Sequence, residues 1–174
     1  MEARRESEPT PMKNPTTVDR KSERELVVTR TVNGPARLVF EAWTKPELFK
    51  RWWVPKSMGL NLLSCELDVR VGGKYRLTFA HGTSEMAFFG SYLEVTPHSR
   101  LVWTNEEGGD EAKIVTTVTL EEKSGKTLVV VNDLYPSKEA LDAAVASGSI
   151  GWNPETFDQL DELLVTLGKS VGPS

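Results

Sequence analysis

The chain predicts an α+β domain carrying a curved antiparallel sheet of about seven strands, and three features of its order predict it. Residues 60 to 135 read as consecutive strands with turn signals between them, not as alternating strand and helix units. One strand and two short helical patterns precede that run, and a long amphipathic helix follows it. With 174 residues, 39% hydrophobic and 26% charged, the chain has the apolar content for one globular domain with a real core.

Residues 1 to 23 hold Pro9, Pro11 and Pro15 among charged and hydroxyl residues, so a disordered leader is expected ahead of a domain over 24–170. The leader's charges nearly cancel, which makes it neither a basic arm nor an acidic tail. The β-branched run Leu26-Val27-Val28-Thr29-Arg30-Thr31-Val32 is the first strand, ending at Asn33-Gly34-Pro35. Pro35 suits a helix start, and Leu38, Val39, Ala42 and Trp43 repeat at helical spacing until Lys45-Pro46 interrupts them. A second short helix spans Pro46 to Trp53. Together these helices hold three of the five Trp, and indoles contribute most when buried, so the stretch is a packing nucleus first.

Beyond it, Cys65, Leu67 and Val69 alternate with Glu66, Asp68 and Arg70, and Gly72-Gly73 turns the chain into a strand over Lys74 to Ala80. Further strands are expected at Met86 to Val95, Arg100 to Asn105, Ala112 to Glu121 and Lys126 to Tyr135. Ser137 caps a short Ala-rich helix over Lys138 to Ala146, with Gly148 near its stop. Asn153 and Pro154 open the last helix, whose Phe157, Leu160, Leu163, Leu164 and Leu167 form one apolar face ending at Gly168. Its other face, with Asp158, Asp161 and Glu162, is expected to stay wet. The apolar stripe must be buried against the sheet, and a strongly curved sheet wrapped on one helix leaves a cavity.

A net charge of −4 and no local basic patch exclude nucleic acid as the expected partner. The single Cys65 excludes an internal disulfide, and no apolar run approaches the roughly 20 residues that span a bilayer, so no membrane insertion is expected. Nothing near Met1 resembles a secretory signal, and a cytoplasmic setting is expected. His81 and His98 sit at turns without metal-ligand spacing, Cys65 lies on an apolar strand face, and no Ser-His-Asp arrangement is defensible. Hence no catalytic residue, metal or cofactor is expected. Asp68 and Arg70 leave one strand face together and read as solvated.

Arg30 is more pointed, because it shares strand parity with Leu26, Val28 and Val32 and projects toward the apolar side. A buried guanidinium needs a partner, and either structural pairing or ligand anchoring would supply one. Trp53, Tyr75, Phe79, Phe88, Tyr92, Trp103, Trp152 and Phe157 are the aromatic candidates for a cavity wall; each one singly also reads as core.

Four ordered motifs carry a family resemblance: Phe40-x-Ala42-Trp43-Thr44-x-Pro46-Glu47 running on to Trp52-Trp53; Asp68-Val69-Arg70-Val71-Gly72-Gly73-x-Tyr75; Gly90 to Pro97 with Arg100-Leu101-Val102-Trp103-Thr104; and Gly151-Trp152 before the Leu-rich helix. Over about residues 25 to 168 the chain resembles proteins similar to the C-terminal domain of the activator of heat-shock-protein-90 ATPase (AHSA-type), in the START-like (SRPBCC) helix-grip superfamily. The resemblance implies a sheet wrapped around the C-terminal helix, with a deep cavity between them that superfamily members use for lipids, sterols, polyketides or plant hormones, and occasionally for catalysis. It makes Trp152 and Phe157, on or beside that helix, the expected wall and gate. The separate N-terminal domain of the eukaryotic activators has no counterpart in the leader. The expected function is non-enzymatic binding of a small hydrophobic or amphipathic ligand. A co-chaperone-type interaction with a chaperone partner is the alternative, and an aromatase or cyclase-like enzyme is the third reading.

Overall fold

The computed structural model describes residues 16–54, 57, 61–106, 113–147 and 154–171. In chain order the elements are β1 (Thr16–Arg20), β2 (Glu25–Val32), α1 (Ala36–Thr44), α2 (Pro46–Trp52), β3 (Asn61–Leu67), β4 (Lys74–His81), β5 (Ser84–Thr96), β6 (Arg100–Asn105), β7 (Ile114–Lys123), β8 (Lys126–Leu134), α3 (Lys138–Ser147) and α4 (Pro154–Val171). They form one antiparallel eight-stranded sheet in the order β1-β2-β8-β7-β6-β5-β4-β3.

The eighth strand corrects the sequence reading. Residues 16–20, expected in the disordered leader, pair with β2 from Thr16 opposite Arg30 to Arg20 opposite Leu26. Composition misled because this strand buries little apolar surface, and Val18 faces solvent. Its stabilisation comes from main-chain pairing to the edge of β2 and from the Arg30 guanidinium, which donates to Thr16 Oγ1 at 2.9 Å.

Strands β2 and β8 alternate buried and half-buried positions, which sets Val28, Val32, Val129 and Val131 into the core. The β7–β8 hairpin closes on Ser124 and Gly125, both with positive φ (56° and 79°), the geometry that matches the twist of flanking strands. At the other hairpin, β3 stops at Leu67, so Gly72-Gly73 ends a longer connection from Asp68 instead of forming a two-residue turn. A Cβ on Gly73 would lie 2.0 Å from the Asp68 carbonyl oxygen, which explains the glycine.

Helices α1 and α2 cover one stretch of the sheet's inner face, and their aromatic residues pack as a nucleus. Trp52 is fully buried, donates from Nε1 to the Ala42 carbonyl at 2.9 Å, and meets Trp43 edge-on at 4.7 Å. The first amide of α1, at Ala36, is capped from the sheet by Glu122 Oε1 at 2.9 Å. Ser137 caps α3 as expected, its Oγ accepting from Ala140 N at 3.1 Å. Gly148 and Asn153, assigned as helix signals above, lie outside the described residues.

The apolar face of α4 is buried through Phe157, Leu160, Leu163 and Leu164. Its acidic face is not the solvated one that the pattern implies. Asp158 and Asp161 turn toward β2, where both accept from the Arg30 guanidinium, at 2.8 and 2.7 Å. Asp161 also accepts the Asn33 amide at 2.7 Å, so β2, the turn after it and α4 are tied at one point.

Candidate functional site

A cavity of about 180 Å³ opens between the inner face of the sheet and the aromatic ends of α1 and α2. Its helical wall is Trp43, Phe49 and Trp53, with Phe49 and Trp53 stacked at 4.9 Å. Strands β3 to β5 add Leu67, Tyr75, Leu77, Phe88 and Tyr92, and the far side is closed by Trp103, Asn105, Ile114, Thr116, Asp133 and Tyr135. Strand alternation places these side chains inward: Tyr75 and Leu77, or Thr116 and Val118, sit two apart and leave the same face.

Five of the expected wall residues, Trp53, Tyr75, Phe88, Tyr92 and Trp103, therefore meet around one space. Phe79 and Phe157 are buried in the apolar core and do not border it. Trp152 lies outside the described residues. Arg30, 1% exposed, is also absent from the lining; it is occupied by Asp158, Asp161 and Thr16, and its guanidinium carbon lies 5.9 Å from the centre of the Phe157 ring. Among the described residues α4 contributes nothing to the wall, so the expected position of the cavity against the C-terminal helix is corrected to one beneath α1 and α2.

The polar end of the cavity was not singled out from the sequence. The Tyr75 hydroxyl faces two acceptors, Thr104 O at 2.8 Å and Asn105 Oδ1 at 3.0 Å. Asn105 Nδ2 donates to Thr116 Oγ1 at 2.9 Å, and Thr116 donates to Asp133 Oδ1 at 2.7 Å. These bonds form one directed chain from Tyr75 through Asn105 and Thr116 to a carboxylate that is 7% exposed. Asp133 shares parity with the buried Val129 and Val131, a signal that the continuous apolar run Leu128 to Val131 hides in the sequence.

Burial pushes the Tyr135 hydroxyl up to about 12, and the neighbouring Asp133 charge pushes in the same direction. Tyr92 is raised as well, by burial first and then by Cys65 and Asp68. Both phenols thus stay neutral at neutral pH. Cys65, half-buried against the core, is pushed up to about 11, chiefly by burial, and its thiol remains protonated. Asp68 and Arg70 pair at 3.0 Å in solvent, as their alternation implies. His98 packs edge-on against Phe40 at 5.6 Å, away from the cavity lining. Among the described residues no three His, Cys, Asp or Glu side chains cluster to hold a metal, and no helix is long and apolar enough to cross a membrane.

Solved structures share this architecture. A protein from Nitrosomonas europaea is 28% identical, superposes with a TM-score of 0.74, and is matched over 84% of this chain and 97% of its own. One from Chromobacterium violaceum is 26% identical at a TM-score of 0.67, over 82% and 98%. One from Rhodobacter sphaeroides, at 21% identity, shares the fold with a TM-score of 0.79 over 88% and 100%. No curated protein matches the chain. The profile described as "Activator of Hsp90 ATPase homolog 1-like protein" matches residues 33–165, from the turn after β2 into α4. On that match and this fold, the chain belongs to the Activator of Hsp90 ATPase homolog 1-like family.

Proposed function

We propose that the chain binds a small hydrophobic or amphipathic ligand, without covalent chemistry, in the cavity beneath α1 and α2. The observation that carries this reading is the lining itself: apolar and aromatic side chains over most of the wall, with a short polar chain at one end. Binding pockets combine these two features, whereas a fully packed core leaves no such space. Volume narrows the ligand. About 180 Å³ is close to the roughly 150 Å³ that accommodates benzene in an apolar protein cavity and below the roughly 300 Å³ at which drug-sized pockets begin. A single ring or a short chain fits it better than a sterol does.

The neutral state of the Tyr92 and Tyr135 hydroxyls supports binding over acid–base chemistry, because an efficient general acid or base titrates near the working pH. The family description keeps a co-chaperone-type interaction as the alternative. Ligand-observed NMR with a panel of one-ring and short-chain compounds tests the first reading. Saturation transfer to several members, abolished when Leu77→Trp fills the space, is the expected result. Transfer that persists in the filled variant, or its absence throughout the panel, would count against the cavity. Unchanged ATPase turnover of Hsp90 in the presence of this chain would remove the alternative.

A further inference from the structure

The polar groups that border the cavity divide into those held by protein partners and those that are not. At the polar end, Tyr75 faces Thr104 O and Asn105 Oδ1, Asn105 donates to Ile114 O and Thr116 Oγ1, and Thr116 donates to Asp133, which has a further partner within the protein. That end is closed on itself. Two phenols on the wall differ from it. Tyr92 and Tyr135 are 4% and 6% exposed and border the cavity, yet among the described residues neither hydroxyl makes a hydrogen bond. Cys65 and Asp68 lie near enough to Tyr92 to act on it electrostatically, but no hydrogen bond joins them to it.

A buried hydroxyl without a partner is costly, and a ligand that supplies one recovers the loss. Burial keeps both phenols protonated, so each has a proton to offer an acceptor. They differ in what stands beside them. The Asp133 carboxylate acts on Tyr135, and its charge opposes any oxygen lone pair brought to that hydroxyl. The carboxylate that acts on Tyr92, Asp68, is exposed and paired with Arg70 at 3.0 Å. Among the described residues no Lys, Arg or His borders the cavity, so an anionic ligand would lose its water without gaining a cation, and would face Asp133. On the reading of this space as a ligand site, we infer that it selects a neutral one-ring carbonyl compound, whose oxygen accepts a hydrogen bond from the Tyr92 hydroxyl while its ring lies against the aromatic wall. A carbonyl offers lone pairs and brings no proton that needs an acceptor of its own.

Three probes of nearly one shape test this: acetophenone, α-methylstyrene, in which a CH2 replaces the carbonyl oxygen, and benzoate. Each is titrated by ligand-observed NMR at pH 7 into the full chain and into Tyr92→Phe. That variant, which removes a single oxygen, should weaken acetophenone about fivefold, the factor for one neutral hydrogen bond, and leave α-methylstyrene within about twofold. Benzoate should bind the unmodified chain at least about tenfold more weakly than acetophenone does. Equal losses for acetophenone and α-methylstyrene, or no loss for either, would overturn the assignment to Tyr92. Benzoate binding as tightly as acetophenone would overturn the selection of a neutral ligand. Where Tyr92→Phe does not fold, the carbonyl stretching band of acetophenone bound to the unmodified chain decides: a shift to lower wavenumber than in hexane supports the bond, and a hexane-like band overturns it. If α-methylstyrene binds and acetophenone does not, this inference falls while the cavity remains a ligand site; if none of the three binds, both readings fall.

Discussion

Replacing Arg30 with methionine tests how the fold holds its last helix. The guanidinium is 1% exposed, lies 2.8 Å from Asp158 Oδ1 and 2.7 Å from Asp161 Oδ2, and also donates to Thr16. Methionine fills most of the stem volume but leaves two carboxylates, at side-chain exposures of 23% and 13%, without their shared cation. Removing one partner of a buried ion pair costs about 3–5 kcal/mol; both acids keep some contact with water, so the lower end, about 3 kcal/mol, applies. In a chain of this size each kcal/mol moves Tm by about 2–4 °C, giving an expected fall of about 6–12 °C. The single changes Asp158→Asn and Asp161→Asn leave Arg30 one carboxylate each and should cost about 1 kcal/mol apiece. Burial pushes the Asp161 carboxyl up against the pull of the Asn33 amide and Arg30, so a neutral amide is tolerated there. The triple variant with all three changes should be more stable than Arg30→Met alone, because it strands no charge. Thermal and urea unfolding followed by circular dichroism measures all of these. An Arg30→Met variant within about 1 kcal/mol of the parent, or a triple variant no better than the single, would refute the argument.

Leu77→Trp should abolish binding of one-ring ligands while costing less than about 3 kcal/mol in urea unfolding, since the added volume enters existing space. Gly90→Ala should cost about 3 kcal/mol, because the new Cβ would lie 1.8 Å from the Thr104 carbonyl oxygen and 2.9 Å from the Tyr75 ring; parent-like stability would show that β5 and β6 can part at no cost. Tyr135 has a folded-state pKa of about 12 against an ordinary 10.0, so its contribution is fully present below pH 10 and is lost as pH rises toward 12. Tyr135→Phe should flatten that alkaline loss in a pH series of urea midpoints, and an unchanged slope would show that another group causes it. Gln159→Met should weaken ligand binding although Gln159 is no part of the lining, with ligand-observed NMR as the readout; affinity equal to the parent's would exclude the indirect route.

Strand parity is most legible at Arg30, which it places inward because a half-buried antiparallel sheet must alternate. Tyr75, Tyr92 and Trp103 stand out in the sequence only as aromatic residues that read equally as core, and the structure sets them around the cavity. Asn105, Thr116 and Asp133 escaped notice because a polar residue at an inward position near a strand end looks like one facing water. The apolar block Leu128 to Val131 hid the parity of β8, which becomes clear only through its register with β2, Val131 opposite Val28 and Val129 opposite Arg30. The acidic face of α4 misled for a related reason. A helical pattern reports which residues are polar, but the cation that meets Asp158 stands 128 positions earlier in the chain. Likewise β1 has no hydrophobic signature, since a partner's main chain creates it.

The position of α4 changes what that helix does for the site. Among the described residues it lends the cavity no side chain, but it holds an element that does. Gln159, buried on α4, donates from Nε2 to the carbonyls of Trp52 and Val54, both at 2.9 Å. The Trp52 carbonyl ends α2, where a helix leaves its last acceptors without internal partners, and the Val54 carbonyl lies just beyond it. Trp53 lies between them and forms part of the cavity wall. Gly34 permits the close packing this requires, since a Cβ there would sit 3.2 Å from Leu164. The ion cluster fixes α4 to β2, Gln159 fixes α2 to α4, and the indole of Trp53 is thereby set against the sheet. A change at Gln159 should thus alter the cavity through α2 although Gln159 does not line it, which separates Gln159→Met from Leu77→Trp: the first loosens the wall, and the second fills the space behind it.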